Sequence, residues 1–186
     1  MIWIVLVIVV VVLLVVFGVV GFNRLRTADV GAQEALGGID VQLTRRADLI
    51  PNLVETVKGY AAHEKGVFEE VTRARAGVQA AAAGDDVPAK AAADAQLQGA
   101  LINLNAVAEN YPDLKANQNF LNLQTQLAET ENQISFARQY YNDAVATLNK
   151  LVQTIPWMFF SGIANVHKRE FYDAPEGQEQ APQVQF

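Results

Sequence analysis

Apolar residues recur in alternating steps of three and four along the last third of the chain. The eleven positions carry Phe120, Leu123, Leu127, Thr130, Ile134, Ala137, Tyr141, Ala144, Leu148, Leu151 and Ile155. This spacing places all of them on one stripe of an α-helix, and most residues between them are polar. The pattern predicts a long helix over Asn117–Ile155, ended by Pro156, that rises about 55–60 Å. Its stripe must be buried against other helices.

A second apolar pattern, at the start of the chain, is continuous rather than periodic. Ile2–Phe22 contains no charged residue, Asn, Gln, Ser or Pro and as a helix would span roughly 30 Å, the thickness of a hydrocarbon core. A cleaved signal peptide is the alternative, but a basic n-region and a small-x-small cleavage site are missing. Arg24 and Arg26 follow directly, which predicts the N-terminus outside and the following domain in the cytoplasm. Gly18 and Gly21 do not form a GxxxG motif and are interpreted as ordinary span residues.

Helical stripes continue from this segment into the rest of the chain. Leu25, Ala32, Leu36, Ile39 and Leu43 extend the anchor into a first bundle helix. Gly37–Gly38 interrupts that stripe, and we interpret the pair as a site of close packing against a neighbouring helix.

The residues between the apolar stripes predict where further helices begin and end. Asp48 can cap a second helix with Pro51 in its first turn, and this helix would end at Gly84. Glu64 falls on its apolar stripe, either as an inward carboxylate or because the stripe rotates past it, and we favour the rotation. A third helix would start at Asp85–Pro88 and stop at Tyr111–Pro112.

The amino-acid composition of the chain narrows the classes of function that the protein can have. The net charge is −6 and the chain has no cysteine, so a basic nucleic-acid footprint and thiolate chemistry are both missing. The two histidines lack the Glu-x-x-His spacing of carboxylate-bridged metal bundles, because Tyr60 and Ala164 stand three residues before His63 and His167. P-loop, dinucleotide and nucleophile-elbow motifs are also missing. We therefore expect no cofactor, no metal and no catalytic activity, although a Ser–His pair assembled in space stays open.

A resemblance to a known family rests on two groups of motifs. The first group is Ile39-Asp40-Val41-Gln42-Leu43, Arg45-Arg46, Asp48-Leu49-Ile50-Pro51-Asn52-Leu53-Val54 and Glu55–Glu64. The second group is Tyr111-Pro112, Leu114–Asn117, Thr130-Glu131, Ala137-Arg138, Tyr141-Asn142, Asn149 and Lys168–Asp173. With these motifs the chain resembles the LemA family of bacterial membrane proteins. The resemblance implies a similar helical domain and brings no enzymatic activity that can be assigned residue by residue.

These observations predict an all-α protein with three parts. Residues 1–22 form a transmembrane anchor, residues 23–172 an elongated antiparallel bundle of about four long helices, and residues 173–186 an acidic tail. The tail contains no base and two prolines, yet its last residues, 183–186, are apolar at alternate positions. We hypothesise that this end docks as a short strand on its own bundle or a neighbour.

Two segments are candidate interaction surfaces. The charged run near Arg45, Arg46 and Asp48 is either a solvated face, which we favour, or a partner-binding face. The apolar segment 156–163 either plugs one end of the bundle, which is the interpretation we favour, or contacts lipid or a partner. The predicted surface residues are Arg45, Arg46, Asp48, Trp157, Phe159, Phe160 and Phe186.

The function favoured by the sequence is a scaffold or interaction protein in the bacterial inner membrane that self-associates. Its expected partners are the lipid bilayer, further copies of itself and other membrane proteins, but no nucleic acid. The alternative is a membrane-bound signalling protein or small-ligand sensor with a pocket between helices.

Overall fold

The computed structural model describes residues 1–172 and is helical throughout its regular structure, with no strand among those residues. The helices are α1 (Ile2–Lys58), α2 (Lys65–Ala82), α3 (Val87–Glu109), α4 (Pro112–Lys115), α5 (Gln118–Gln153) and α6 (Ser161–Ala164), and a 3-10 turn covers Trp157–Phe160. The all-α prediction is confirmed, as is the long N-terminal apolar helix that leads into a helical bundle. The number of bundle helices and the three-part domain division stay predictions, and the tail 173–186 with Phe186 lies outside the described residues.

The chain forms two compact units, which we describe separately. One unit combines Met1–Leu36 with Tyr140–Phe171, and the other contains Gly37–Gln139 and Tyr172. In the first unit the buried side chains include Leu25 and Ala32 of α1 and Val145 and Leu148 of α5.

The second unit buries one stripe from each of its long helices. Four members of the α1 stripe, Ile39, Leu43, Ile50 and Leu53, are at most 1% exposed. The other helices contribute Phe68, Val71, Ala74 and Val78 from α2, Leu97, Ala100, Leu104 and Ala108 from α3, and Phe120, Leu123 and Ile134 from α5. Thr130 sits on the same α5 stripe, and its hydroxyl donates to the carbonyl of Gln126 at 2.7 Å. A polar residue is tolerated there because its hydrogen bond is made within the helix.

Helix α1 does not end at Asp48, so the prediction of a second helix starting there was wrong. Pro51 lies inside α1 and has no N–H to donate to the carbonyl of Ala47, four residues earlier. Arg75 of α2 donates its Nε to that carbonyl at 2.9 Å instead. The break falls after Lys58, and Glu64 directly precedes α2, so neither interpretation of Glu64 as a mid-helix residue was right.

The Gly37–Gly38 pair does not mark close packing. A Cβ atom added at either glycine would meet no atom within 4 Å in the described chain. Both residues lie on the exposed face of α1, between the buried Leu36 and Ile39. The prediction failed because glycine inside a helix is compatible with an open surface as well as with a tight contact.

The first part of α1 is exposed along nearly its whole apolar length. Side chains from Ile2 to Val16 are 45–82% exposed. Within the described residues, α1 alone is both long and apolar enough to cross a bilayer. This agrees with the predicted anchor by length and composition.

Candidate functional site

Helix α3 carries two charged residues on its buried face. Its start is fixed as predicted, because the carboxylate of Asp86 accepts a hydrogen bond from the Ala89 N–H at 3.0 Å. Lys90 and Asp94 then follow at helical spacing from Leu97, and they are 0% and 1% exposed. Charges buried this deeply require partners.

Asp94 is the centre of a group that we call the buried charge cluster: Arg46, Asp94, Glu131, Arg138 and Tyr172. Arg46 of α1 and Arg138 of α5 each pair with one carboxylate oxygen of Asp94. The phenol of Tyr172 donates to Asp94 Oδ2 at 3.2 Å. One carboxylate therefore joins α1, α3, α5 and the segment that follows α6.

Arg46 has a second acidic partner. Its Nη1 donates to Glu131 Oε2 at 2.6 Å, and its Nη2 lies 3.4 Å from the backbone carbonyl of Asp94. Burial lowers the pKa of Arg46 because desolvation penalises the cation, while Glu131 acts in the opposite direction. The two arginines and two carboxylates balance in formal charge.

Tyr172 closes the cluster with its ring as well as its hydroxyl. The Arg138 guanidinium lies 5.3 Å from the centre of the Tyr172 ring, a cation–π distance. Burial raises the pKa of Tyr172, and the positive charges of Arg138 and Arg46 oppose that change. Tyr172 therefore acts as a neutral hydrogen-bond donor at ordinary pH.

A neighbouring ion pair accounts for the second charge of α3. Lys90 pairs with Asp40 of α1 and also lies 3.3 Å from the carbonyl of Ala82. Sequence reasoning missed both Lys90 and Asp94. The signal was present, because extending the α3 stripe backwards from Leu97 by three and seven residues reaches them.

The buried charge cluster connects α1, α3 and α5, and each of its two carboxylates pairs with at least one arginine. A cavity of about 270 Å³ borders the cluster. Its polar lining residues are Arg46, Gln98, Asn105, Gln124 and Glu131, and its apolar lining residues are Leu101, Ile102, Leu127 and Ala128. The buried Nε of Arg46 has no hydrogen-bond acceptor among the described residues. Residues 1–172 contain no group of three or more His, Cys, Asp or Glu side chains suited to hold a metal ion.

The predicted surface residues are distributed over both units. Arg45 and Asp48 are exposed, but Arg46 is 1% exposed and belongs to the buried charge cluster. Its prediction as a surface residue was wrong, because it occupies the α1 stripe between Leu43 and Ile50 and Asp94 offsets its charge. Whether Arg45 and Asp48 bind a partner stays a prediction.

In the first unit, the segment after α5 packs on the apolar part of α1. Trp157 stacks on Phe17 with 5.9 Å between ring centres, and Phe160 meets Phe17 edge-on at 5.4 Å. A Cβ added at Gly21 would lie 2.5 Å from the Phe160 ring. Gly21 is therefore a contact site rather than an ordinary span residue, contrary to the prediction. Phe159 stays 67% exposed.

A polar clamp holds the chain between α6 and Tyr172. Arg169 donates to Asp29 Oδ1 at 2.9 Å and to Gln33 Oε1 at 2.8 Å on α1. Asn149 of α5 exchanges two 2.9 Å hydrogen bonds with the backbone of Arg169. The Tyr141 hydroxyl donates to the carbonyl of Glu170 at 2.9 Å, and burial raises the pKa of Tyr141.

Comparison with known proteins places this geometry in context. The model of the LemA family matches residues 35–186. Among curated proteins, the chain is similar to magnetosome proteins MamQ 1 and MamQ 2 of Paramagnetospirillum magneticum and MamQ of Magnetospirillum gryphiswaldense. Each is 27% identical to it over 180 residues, which covers 84% of this chain and 66% of the relative. The chain thus spans just under two thirds of the length of these relatives.

Proposed function

Because this chain belongs to the LemA family, we propose that it is a membrane-anchored helical scaffold that self-associates or organises other membrane proteins without catalysing a reaction. The observation that carries the proposal is α1, a single helix from Ile2 to Lys58. Its first part is exposed and apolar, and its later part is buried in helical packing. An anchor continuous with a packed domain suits a protein that positions partners at a membrane.

The location follows from the same helix. We propose that α1 crosses the bacterial inner membrane once, with its N-terminus outside. Arg24 and Arg26 support this orientation, because positive residues next to a span favour the cytoplasmic side.

The mass of the full chain in mild detergent tests self-association. Light scattering over a wide concentration range should show discrete particles larger than a monomer. Replacing the exposed Arg45 with Glu should reduce their size if the charged run is an interface. Replacing Arg73, an exposed arginine of α2, with Glu is the matched control and should leave the mass unchanged. Monomers at every concentration would refute self-association and leave the organisation of other membrane proteins as the remaining form of the scaffold.

The cavity beside the buried charge cluster favours a second candidate, a small-ligand sensor. It presents a cation, a carboxylate, three amide side chains and apolar residues, a combination that suits a zwitterion with an apolar portion, such as a free amino acid. A ligand present at 100 times its Kd would stabilise the fold by about 2.7 kcal/mol. Thermal unfolding with a panel of free amino acids should then show a shift that is lost in Glu131→Gln. An unchanged midpoint with all of them would reject this candidate.

A further inference from the structure

The turn that follows α5, residues 155–163, lies beside the part of α1 that we propose to be in the membrane. Phe160 and Trp157 both contact Phe17, and Phe160 also closes over Gly21. The Arg24 guanidinium lies 4.8 Å from the centre of the Trp157 ring. These contacts all fall within the first unit.

The contacts set the depth of the turn. If the span ends at Phe22, Phe17 lies about 7.5 Å and Gly21 about 1.5 Å inside that end, at 1.5 Å per helical residue. Side chains that touch both must be at the level where hydrocarbon meets the headgroups. Tryptophan is enriched at this level in membrane proteins, because its ring is apolar and its N–H is polar.

Other side chains of the same turn are apolar and exposed. Ile155, Phe159 and Ile163 are 74%, 67% and 76% exposed, and Met158 is 41% exposed. Four large apolar side chains within nine residues form an exposed patch of the kind that marks an interaction site. These side chains belong to the same turn as the two rings that contact Phe17, so they lie close to the span.

We propose that the turn 155–163 is a second membrane contact, in which Ile155, Phe159 and Ile163 enter the lipid at the interface next to α1. This inference rests on the proposed membrane anchor. Arg24 and Lys150 line a cavity of about 610 Å³ beside Trp157, where they are placed to meet lipid phosphates. The membrane contact then involves both the first part of α1 and the turn that follows α5.

Tryptophan fluorescence separates this inference from the anchor itself. The chain has two tryptophans, so Trp3→Phe leaves only Trp157, and Trp157→Phe leaves only Trp3. Each full-length variant is reconstituted into phosphatidylcholine–phosphatidylglycerol vesicles that contain lipids brominated at different acyl depths. We expect shallow bromines to reduce Trp157 emission at least twofold, and aqueous iodide to reduce it less. Quenching of Trp157 by iodide alone would overturn the inference.

Trp3 reports on the anchor. Lipid quenching of Trp3 without lipid quenching of Trp157 would preserve the anchored scaffold and refute the inserted turn. Loss of lipid quenching at both positions would refute the membrane anchor and, with it, this inference.

A matched pair of labelling sites tests the exposed side chains directly. The chain has no cysteine, so Phe159→Cys and Tyr140→Cys each provide one spin-label site. Both native aromatics are 67% exposed and belong to the first unit, and Tyr140 lies about 20 Å before the end of α5. We expect the label at 159 to collide with oxygen at least twice as often as with a water-soluble nickel complex. We expect the label at 140 to collide more often with the nickel complex than with oxygen.

Two results would overturn the proposal. A label at 159 that reaches the nickel complex as readily as the label at 140 would place the turn in water. A label at 159 shielded from both reagents would mean that protein, such as a second copy of this chain, covers the patch.

Discussion

Replacing Asp94 with Asn tests whether the buried charge cluster holds the helices of the second unit together. The substitution keeps the side-chain shape and removes the charge that joins Arg46 and Arg138. Breaking a buried ion pair costs about 3–5 kcal/mol, because the remaining charge is left without compensation. Arg46 keeps Glu131 at 2.6 Å, and the Arg138 side chain is 15% exposed. We therefore expect the lower end of that range, about 3 kcal/mol.

Urea unfolding of the full chain in mild detergent, followed by far-UV circular dichroism, measures this loss. With a slope of about 2 kcal/mol per molar urea, the midpoint should fall by about 1.5 M. The control is Asp48→Asn, which neutralises an exposed aspartate of α1 and should change the unfolding free energy by less than about 0.5 kcal/mol.

The outcome that refutes the reasoning is a midpoint for Asp94→Asn equal to that of the control. It would mean that the two arginines find other partners or water when the carboxylate is neutralised. A further test is to replace Arg46, Asp94 and Arg138 together with Met, Leu and Met. Apolar replacements of a buried ionic group can restore stability, so this variant should be more stable than Asp94→Asn.

Three further predictions address other contacts. Arg75→Met should lower the unfolding free energy by about 1–2 kcal/mol, because the buried carbonyl of Ala47 loses its donor. Adding Pro51→Ala should recover most of this loss, because alanine supplies a backbone N–H at that position. Independent effects of the two changes would contradict this explanation. Gly21→Ala should destabilise the folded protein by about 1–3 kcal/mol, because the new methyl group clashes with the Phe160 ring. Gly37→Ala adds a methyl group in open space and should stabilise the folded protein by up to about 1 kcal/mol. Equal effects of the two substitutions on thermal unfolding would refute the contact between Gly21 and Phe160. Burial raises the folded-state pKa of Tyr172, so the native state retains a proton that the unfolded state loses above about pH 10. The unfolding free energy should therefore fall as the pH rises through that range, and it should fall less steeply in Tyr172→Phe.

Much of the fold could be predicted because it depends on local periodicity. The α5 stripe is the clearest example: seven of its eleven positions are buried, three are half-buried, and Ile155, beyond the helix end, is exposed. The Asp86 cap was also predictable, since capping involves residues only a few positions apart. Pro51 was misread because the donor that compensates for it, Arg75, is 28 residues away.

The candidate site was harder to predict because charge alone suggests a surface. Arg46 and Asp94 look solvent-exposed when each is considered singly, and they are buried because they compensate each other across two helices. The contact of Gly21 with Phe160 joins positions about 140 residues apart, and local spacing carries no information about such pairs. Phe186 and the strand hypothesised for residues 183–186 lie outside the described chain and stay predictions.

The contact between Gly21 and Phe160 also has a consequence for biosynthesis. Translation reaches the glycine early and the phenylalanine about 140 residues later, which at about 5–20 residues per second is a delay on the order of ten seconds. If α1 enters the bilayer as it is made, the surface of α1 at the glycine lacks its aromatic contact until the ribosome has delivered the turn that carries Phe160. In that case the turn joins α1 only after translation of α5, so we expect completion of this contact to be a late step that depends on folding and not on the insertion machinery.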